Sequence, residues 1–299
     1  MSKQENIKSP LKMLGVVTLY NPNAEETAAN IHSYVGGLDM LIIWDNSPLE
    51  KNLKTQFQHL LGNYWEKIIW QGTGENRCIA PAINFAWYEA MKEQFDAILL
   101  MDDDSKWDHF LAYRQDIEKR MNNGSISVYT PYVVGCDSFS ITSEEQEKRL
   151  FINSGTVIPT IILTAIGGLD ENAFPLDALD HDLALSIIEH GYKSCCLTKH
   201  KLNHSLGYPQ RMGLFKIFTP NYNRHRTYSM TRSHIICYRK HKKLMTHEDR
   251  DYLFNEILRR KLLRILFAEP DKYHRLIAFI KGIWDGCNYK LKVDTKHEV

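Results

Sequence analysis

The sequence predicts an α/β fold, a mostly parallel sheet flanked by helices, followed by a helical C-terminal extension. Three observations carry this. Strand-like runs, polar turns and helix-like segments alternate four times in about the first 120 residues, the pattern of strands joined by crossover helices. Several of the strand-like runs are continuously apolar rather than alternating, as in strands buried on both faces. From Phe215 to the end the pattern turns helical, with basic and aromatic residues interleaved.

Taken in order, Leu14–Tyr20 is β-rich and stops at Asn21-Pro22-Asn23, a turn suited to capping a helix from Ala24. Leu41–Trp44 is the second strand and runs into Asp45-Asn46-Ser47-Pro48. Ile68–Trp70 is the third, followed by Gln71–Asn76 and a helix from Ile79 to Lys92. The run Ile98–Met101 then ends abruptly in Asp102-Asp103-Asp104-Ser105, with a helix-like segment over Trp107–Met121. Ser127–Val134 reads as a strand and Thr142–Leu150 as a polar connection, and the run Phe151–Ile158 comes next. A short apolar helix leads to Gly167-Gly168. The group Asp177-Ala178-Leu179-Asp180-His181-Asp182 opens a helix that ends near His190-Gly191, where glycine suits the cap. Strand Lys193–Leu197 precedes Leu202-Asn203-His204.

In open α/β sheets, ligands bind outside the carboxyl ends of the strands. Parallel neighbours would therefore bring Thr18, Asn21, Asp45, Asn46, Asn76 and Asp102–Asp104 to one edge. Three adjacent carboxylates repel one another unless a cation screens them, and a hard divalent ion beside substrate phosphates meets that need. The alternative is a plain acidic strand-to-helix turn, and for Asp180 and Asp182 it is first-turn acids facing the helix dipole. Gly72-x-Gly74 is only part of a dinucleotide fingerprint, since Arg77 replaces the third glycine, and no Walker A sequence occurs. A dinucleotide-dependent dehydrogenase is disfavoured.

The chain has 299 residues, enough for one large α/β domain and an appendage. Its net charge of +1 is unevenly spread: from Arg224 onward 18 Lys/Arg face 9 Asp/Glu. An acidic body with a basic tail points to an anionic partner of the tail, with a solvated helical face as the bland alternative. Arginine suits diphosphate through its planar fork, and a basic amphipathic helix suits an anionic membrane surface. Nucleic acid is disfavoured, for no binding module is visible and the body is acidic. Six cysteines without C-x-x-C spacing, behind a polar start without a signal peptide, read as reduced thiols of a cytoplasmic protein. No run approaches the roughly 20 apolar residues of a spanning helix. Peripheral attachment to the inner face of the cell membrane fits these features, and an oligomer is compatible with them.

The order of motifs resembles family 2 glycosyltransferases of the GT-A fold, the Rossmann-like fold of nucleotide-diphospho-sugar transferases. The residues concerned are Val17-Thr18-Leu19-Tyr20-Asn21-Pro22, Trp44-Asp45-Asn46-Ser47, Asn76-x-x-Ile79-Ala80-x-Ala82-x-Asn84 and Met101-Asp102-Asp103-Asp104-Ser105. Further on, Ile152-Asn153-Ser154-Gly155, Asp177-x-x-Asp180-His181-Asp182, Asn203-His204-x-x-Gly207 and Arg226-x-Tyr228-x-x-x-Arg232 resemble the bacterial rhamnosyltransferase-like branch. The likeness covers roughly residues 12 to 240 and departs from the family pattern at three places. Cys78 stands where a glycine is usual, Asp103 replaces a common glutamine, and Ser186 replaces a usual arginine.

The resemblance implies a flexible N-terminus over residues 1–11, a catalytic domain over 12–212 and a helical basic region over 213–299. It implies metal-dependent, inverting sugar transfer from a nucleoside-diphosphate sugar to a glycan or lipid-linked acceptor in cell-surface polysaccharide synthesis. Thr18, Asn21, Asp45, Asn76, Asp102, Asp103 and Asn153 would bind the nucleotide sugar, and Arg226 and Arg232 its diphosphate. Asp104 and His204 would hold Mg²⁺ or Mn²⁺, and Asp180 would be the general base. The rivals are a sugar nucleotidyltransferase, whose glycine-rich N-terminal loop is missing, a glycoside hydrolase, which needs no D-x-D site, and a catalytically silent nucleotide-sugar-binding protein at the membrane.

Overall fold

The computed structural model describes residues 10–204, 210–212 and 216–291. The expected flexible start therefore lies outside them up to residue 9, as do Gly207 of the Asn203-His204 motif and the last eight residues. The chain divides into two compact units, Met1–Glu171 with Ser186–Leu206, and Asn172–Leu185 with Gly207–Val299.

The first unit is the α/β body. Its elements are β1 (Met13–Leu19), α1 (Ala24–Val35), β2 (Met40–Asp45), α2 (Lys54–Leu61), β3 (Ile68–Gly72), α3 (Ala80–Lys92), β4 (Ala97–Asp102), β5 (Ser105–Trp107), α4 (Phe110–Asn122), β6 (Val128–Val134), β7 (Glu145–Glu147), β8 (Val157–Pro159) and α5 (Thr160–Ile166). Helix α6 (Leu179–Glu189) carries the chain back from the second unit into β9 (Ser194–His204). The sheet runs β3-β2-β1-β4-β8-β6-β9-β5, with β7 also on β9. Strands β3, β2, β1 and β4 are parallel, as are β6 and β9. β8 is antiparallel to β4 and β6, and β5 to β9.

The apolar runs explain this order. In β1, β2 and β4 nearly every side chain is buried, so helices must cover both faces. Asn23 caps α1 by accepting the backbone N–H groups of Glu25 and Glu26. One core joins Val17, Leu41, Ile43, Leu99 and Met101 to Ile31 and Tyr34 of α1 and to Phe110 and Tyr113 of α4. Burying each such side chain contributes about 1.5–3 kcal/mol.

Some segments depart from the sequence reading. Within the run Phe151–Ile158, Phe151–Thr156 is a turn and pairing begins only at Val157–Pro159. Gly155 sets the turn with a φ of 79°, and a Cβ there would lie 2.7 Å from Pro131 and 2.8 Å from Leu202. Trp107 is in β5 rather than in the following helix, because the segment pairs with the end of β9 in the register Ser105↔His204. The polar connection contains β7, again paired to β9.

The second unit adds a small hairpin, β10 (Gln210–Met212) with β11 (Ile217–Thr219), and then α7 (Arg224–Lys240), α8 (His247–Asp251), a π-helical stretch over Tyr252–Arg260, α9 (Lys261–Phe267) and α10 (Lys272–Asn288). Among the described residues no helix is long and apolar enough to cross a membrane.

Candidate active site

Parallel register sets the edge of the body. Thr18 pairs with Asp102 across β1 and β4, and Leu19 with Asp45 across β1 and β2. The carboxyl ends of three neighbouring strands thus carry Thr18, Asp45 and Asp102 side by side. Asp45 is buried, and its Oδ1 accepts the Ser47 N–H at 2.9 Å. Ser47 Oγ in turn accepts the N–H of Asn21, whose φ is 48°.

Asn46, one of the polar strand-end residues expected at this edge, builds the next turn. Its Oδ1 accepts the Arg77 N–H at 3.0 Å and its Nδ2 donates to the Cys78 carbonyl at 2.9 Å, while Asn76 Oδ1 accepts the Cys78 N–H. Cys78 has a φ of 64°, the left-handed conformation that favours glycine. Gly72 is required by close packing, since a Cβ there would lie 2.9 Å from the Asp45 carbonyl.

At the end of β4 the chain turns through Asp103 and Asp104 into β5. Asp102, Asp104 and His204 each offer one ligand atom, and these atoms lie within 4.8 Å of one another. They come from two distant stretches joined by the pairing of β5 with β9. His204 Nδ1 is 3.2 Å from Asp104 Oδ1 and 2.7 Å from Ser105 Oγ. Behind them Ser154 Oγ donates to Ser105 Oγ at 2.7 Å and accepts the Asp102 N–H at 3.3 Å. Ser105 and Ser154 are buried and carried no signal of their own in the sequence beyond their places in motifs.

The charges have consequences. The hydrogen bond to Asp104 raises the His204 pKa despite partial burial, and the charge of Asp102 adds to it. Burial, then the charge of Asp104, pushes Asp103 up to about 6, against the Tyr20 N–H that stabilises its carboxylate. Two carboxylates and an imidazole, converging where like charges already strain one another, form a donor set that fits a divalent cation. Asn153 lies in the turn beside Ser154, and its buried Oδ1 has no hydrogen-bond partner among the described residues.

No protein-family model matches the chain, and no curated protein matches it by sequence. Solved structures do match. Residues 1–349 of Staphylococcus aureus TarS superpose with a TM-score of 0.53 at 11% identity, over 92% of this chain and 81% of that one. The same protein in complex with UDP-GlcNAc gives 0.55 at 12%, over 92% and 80%. GalNAc-T7 with UDP, GalNAc and Mn²⁺ gives 0.60 at 10%, over 93% of this chain and 56% of its own length. The fold is GT-A.

The remaining expected site residues belong to the second unit. Asp180 is half-buried in the first turn of α6, where its Oδ1 accepts the His181 N–H at 2.9 Å. Ala178, just before, has a φ of 59°, a strained conformation for a residue with a Cβ. His181, His234 and Tyr252 form a ring cluster with centroids 5.7–5.9 Å apart. Burial, then the charge of Asp180, raises the Tyr252 phenol to about 12. Asp182 points to other partners: it is buried and accepts from Lys240 Nζ at 2.9 Å and His241 Nε2 at 2.8 Å. Arg226 lies over the Tyr222 ring and pairs with Asp177 at 3.4 Å. Arg232 donates to the Asn172 carbonyl and lies over the Tyr289 ring.

Proposed function

We propose that the chain is a metal-dependent, inverting glycosyltransferase of the family 2 type. It takes a sugar from a nucleoside-diphosphate donor, dTDP-rhamnose or a UDP-hexose, to a hydroxyl of a growing cell-surface polysaccharide or lipid-linked oligosaccharide. The observation that carries this reading is the Asp102–Asp104–His204 cluster at the carboxyl edge of a GT-A sheet. The neighbours solved with UDP-GlcNAc, and with UDP, GalNAc and Mn²⁺, support a nucleotide-sugar donor and a divalent ion.

In this reading residues 12–212 are the catalytic domain and 213–299 the helical basic region. Asp104 and His204, with Asp102 beside them, hold Mg²⁺ or Mn²⁺. An ion held there would supply positive charge to offset that developing on the departing diphosphate. Thr18, Asn21, Asp45 and Asn76 contact base and ribose, while Asp102, Asp103 and Asn153 face the ribose and sugar. Arg226 and Arg232 balance the diphosphate. Asp180 accepts the proton of the acceptor hydroxyl as that oxygen attacks the anomeric carbon from the side opposite the leaving group. Asp182, already held by Lys240 and His241, is a brace.

The test is a donor titration with Mn²⁺ beside single-turnover transfer across nucleotide sugars, scored by released diphosphate. Asp104→Ala abolishes Mn²⁺-dependent donor binding while the fold persists. Asp180→Asn keeps donor affinity and slows transfer about 10²–10⁴-fold. Full transfer in EDTA rules out the metal, and donor binding without turnover identifies a silent binding protein.

A further inference from the structure

Helix α10 of the second unit is amphipathic in an unusual sense: its outward face is apolar. Tyr273, Ile277, Ile280 and Trp284 are 72%, 46%, 57% and 69% exposed. Their spacing of four, three and four residues keeps them within an arc of about 60° at 100° per residue. The opposite face, with Phe279, Gly282 and Gly286, is buried, and the two glycines lie against α7. A monomer rarely leaves a continuous apolar stripe of this kind without a partner for it.

The stripe has one cationic flank. Turning from it towards α7, Lys281 and His274 follow, and opposite them stand Arg224 and His225, the first residues of α7. Together with Tyr228 and Ile277 these side chains line a cavity of about 380 Å³. The acids nearby are engaged locally: Asp271 accepts from His274 Nδ1 at 2.5 Å, and Asp285 accepts from the Tyr228 hydroxyl at 2.7 Å. Lys281 Nζ lies over the Tyr228 ring at 5.7 Å, lines the cavity, and enters no ion pair among the described residues. A second apolar group lies in α9, where exposed Leu263, Leu266 and Phe267 stand one to two turns beyond exposed Arg259 and Arg260, the latter paired with Glu256.

We propose that this face docks on an anionic phospholipid membrane, with the stripe of α10 at the acyl boundary and a lipid phosphate in the Arg224–Lys281 cavity. Charge decides between occupants. A second copy of this face would oppose cations with cations, whereas a layer of anionic headgroups complements all of them and accepts Trp and Tyr at its interface. The docking is independent of the transfer reaction, since neither the stripe nor the cavity includes a residue assigned to the sugar site. Sugar transfer can therefore fail its own test while membrane binding stands, and the reverse.

The full chain is co-sedimented with vesicles of phosphatidylglycerol and phosphatidylcholine and with phosphatidylcholine alone. Binding is expected to the anionic vesicles and to weaken as salt rises. Arg224→Gln with Lys281→Gln should lower the partition about 25-fold, about fivefold for each cation removed from the surface. Ile277→Ser with Ile280→Ser and Trp284→Ser should abolish it, with an unchanged circular dichroism spectrum as the control for folding. Equal binding to neutral vesicles, or full binding by either variant, overturns the proposal. So does a stripe variant that changes the mass measured by light scattering but not vesicle binding, for the face would then join two copies of the chain.

Discussion

Ser105 shows how a small side chain can govern a larger one. It is fully buried, and its hydroxyl lies 2.7 Å from both His204 Nδ1 and Ser154 Oγ. A histidine that coordinates a metal is aimed by the group on its ring, and losing such a partner typically costs 10–100-fold in metal affinity. Ser105→Ala should therefore weaken Mn²⁺ binding by about that factor in a calorimetric titration and leave the melting temperature of the metal-free protein close to the parent. Unchanged affinity would mean that the β5–β9 pairing alone aims the imidazole. Cys78 is the reverse case, a side chain that the backbone would do better without. Its left-handed φ of 64° costs about 1–2 kcal/mol for a residue with a Cβ, while glycine's extra freedom when unfolded returns about 0.5–1 kcal/mol. Cys78→Gly should raise the urea midpoint slightly, and Cys78→Val, branched at Cβ, should lower it. The residues of the acidic turn were legible because three successive carboxylates close an apolar run, a contrast visible within a few residues. Ser105 and Ser154 were not, because a buried hydroxyl has meaning only through partners 49 to 99 residues away.

At the scale of elements, legibility follows the range of the forces. β1, β2, β4, α1 and α3 are written in local periodicity, turn chemistry and capping, and they fall where the sequence puts them. β5 and β7 exist because the long strand β9 offers them an edge, and three residues of unremarkable propensity cannot announce such a partner. The run Phe151–Ile158 is divided by its own backbone: its composition is β-like, but Gly155 and the Asn153–Thr156 turn break it before pairing begins. The contact of α7 with α10 was also silent in the sequence, and it rests on two glycines four residues apart. A Cβ on Gly282 would meet the Tyr228 carbonyl at 2.8 Å, and one on Gly286 would meet the Arg232 carbonyl and Ile235 Cβ, each at 3.0 Å. Neither carbonyl can move without unwinding α7. Gly286→Leu should overpack this contact and cost about 1–3 kcal/mol in denaturant unfolding. Leu at exposed Cys287, one residue on, should cost almost nothing.

At the scale of the whole molecule, acid acts on the two units with opposite signs. His234 in the second unit is pressed down to about 4, chiefly by burial and then by His181, although Asp180 and the Met230 carbonyl favour its charged form. Between about pH 6.5 and 4 the unfolded chain binds a proton there that the folded chain refuses, so stability falls as pH falls through that window. At about pH 5 the difference amounts to about 2 kcal/mol, at 1.36 kcal/mol per pKa unit. Asp103 in the first unit works the other way. With its pKa raised to about 6, the folded carboxyl takes up a proton that the unfolded one accepts only near 3.8, so the same acidification favours its folded form. Calorimetry at about pH 7.5 and pH 5 on the parent and on His234→Phe separates the two. Phenylalanine keeps a ring between His181 and Tyr252 without the titrating nitrogen. The parent should lose about 2 kcal/mol more than the variant between the two pH values, with the loss in the transition of the second unit. If parent and variant lose the same amount, the acid sensitivity of that unit resides elsewhere than in His234.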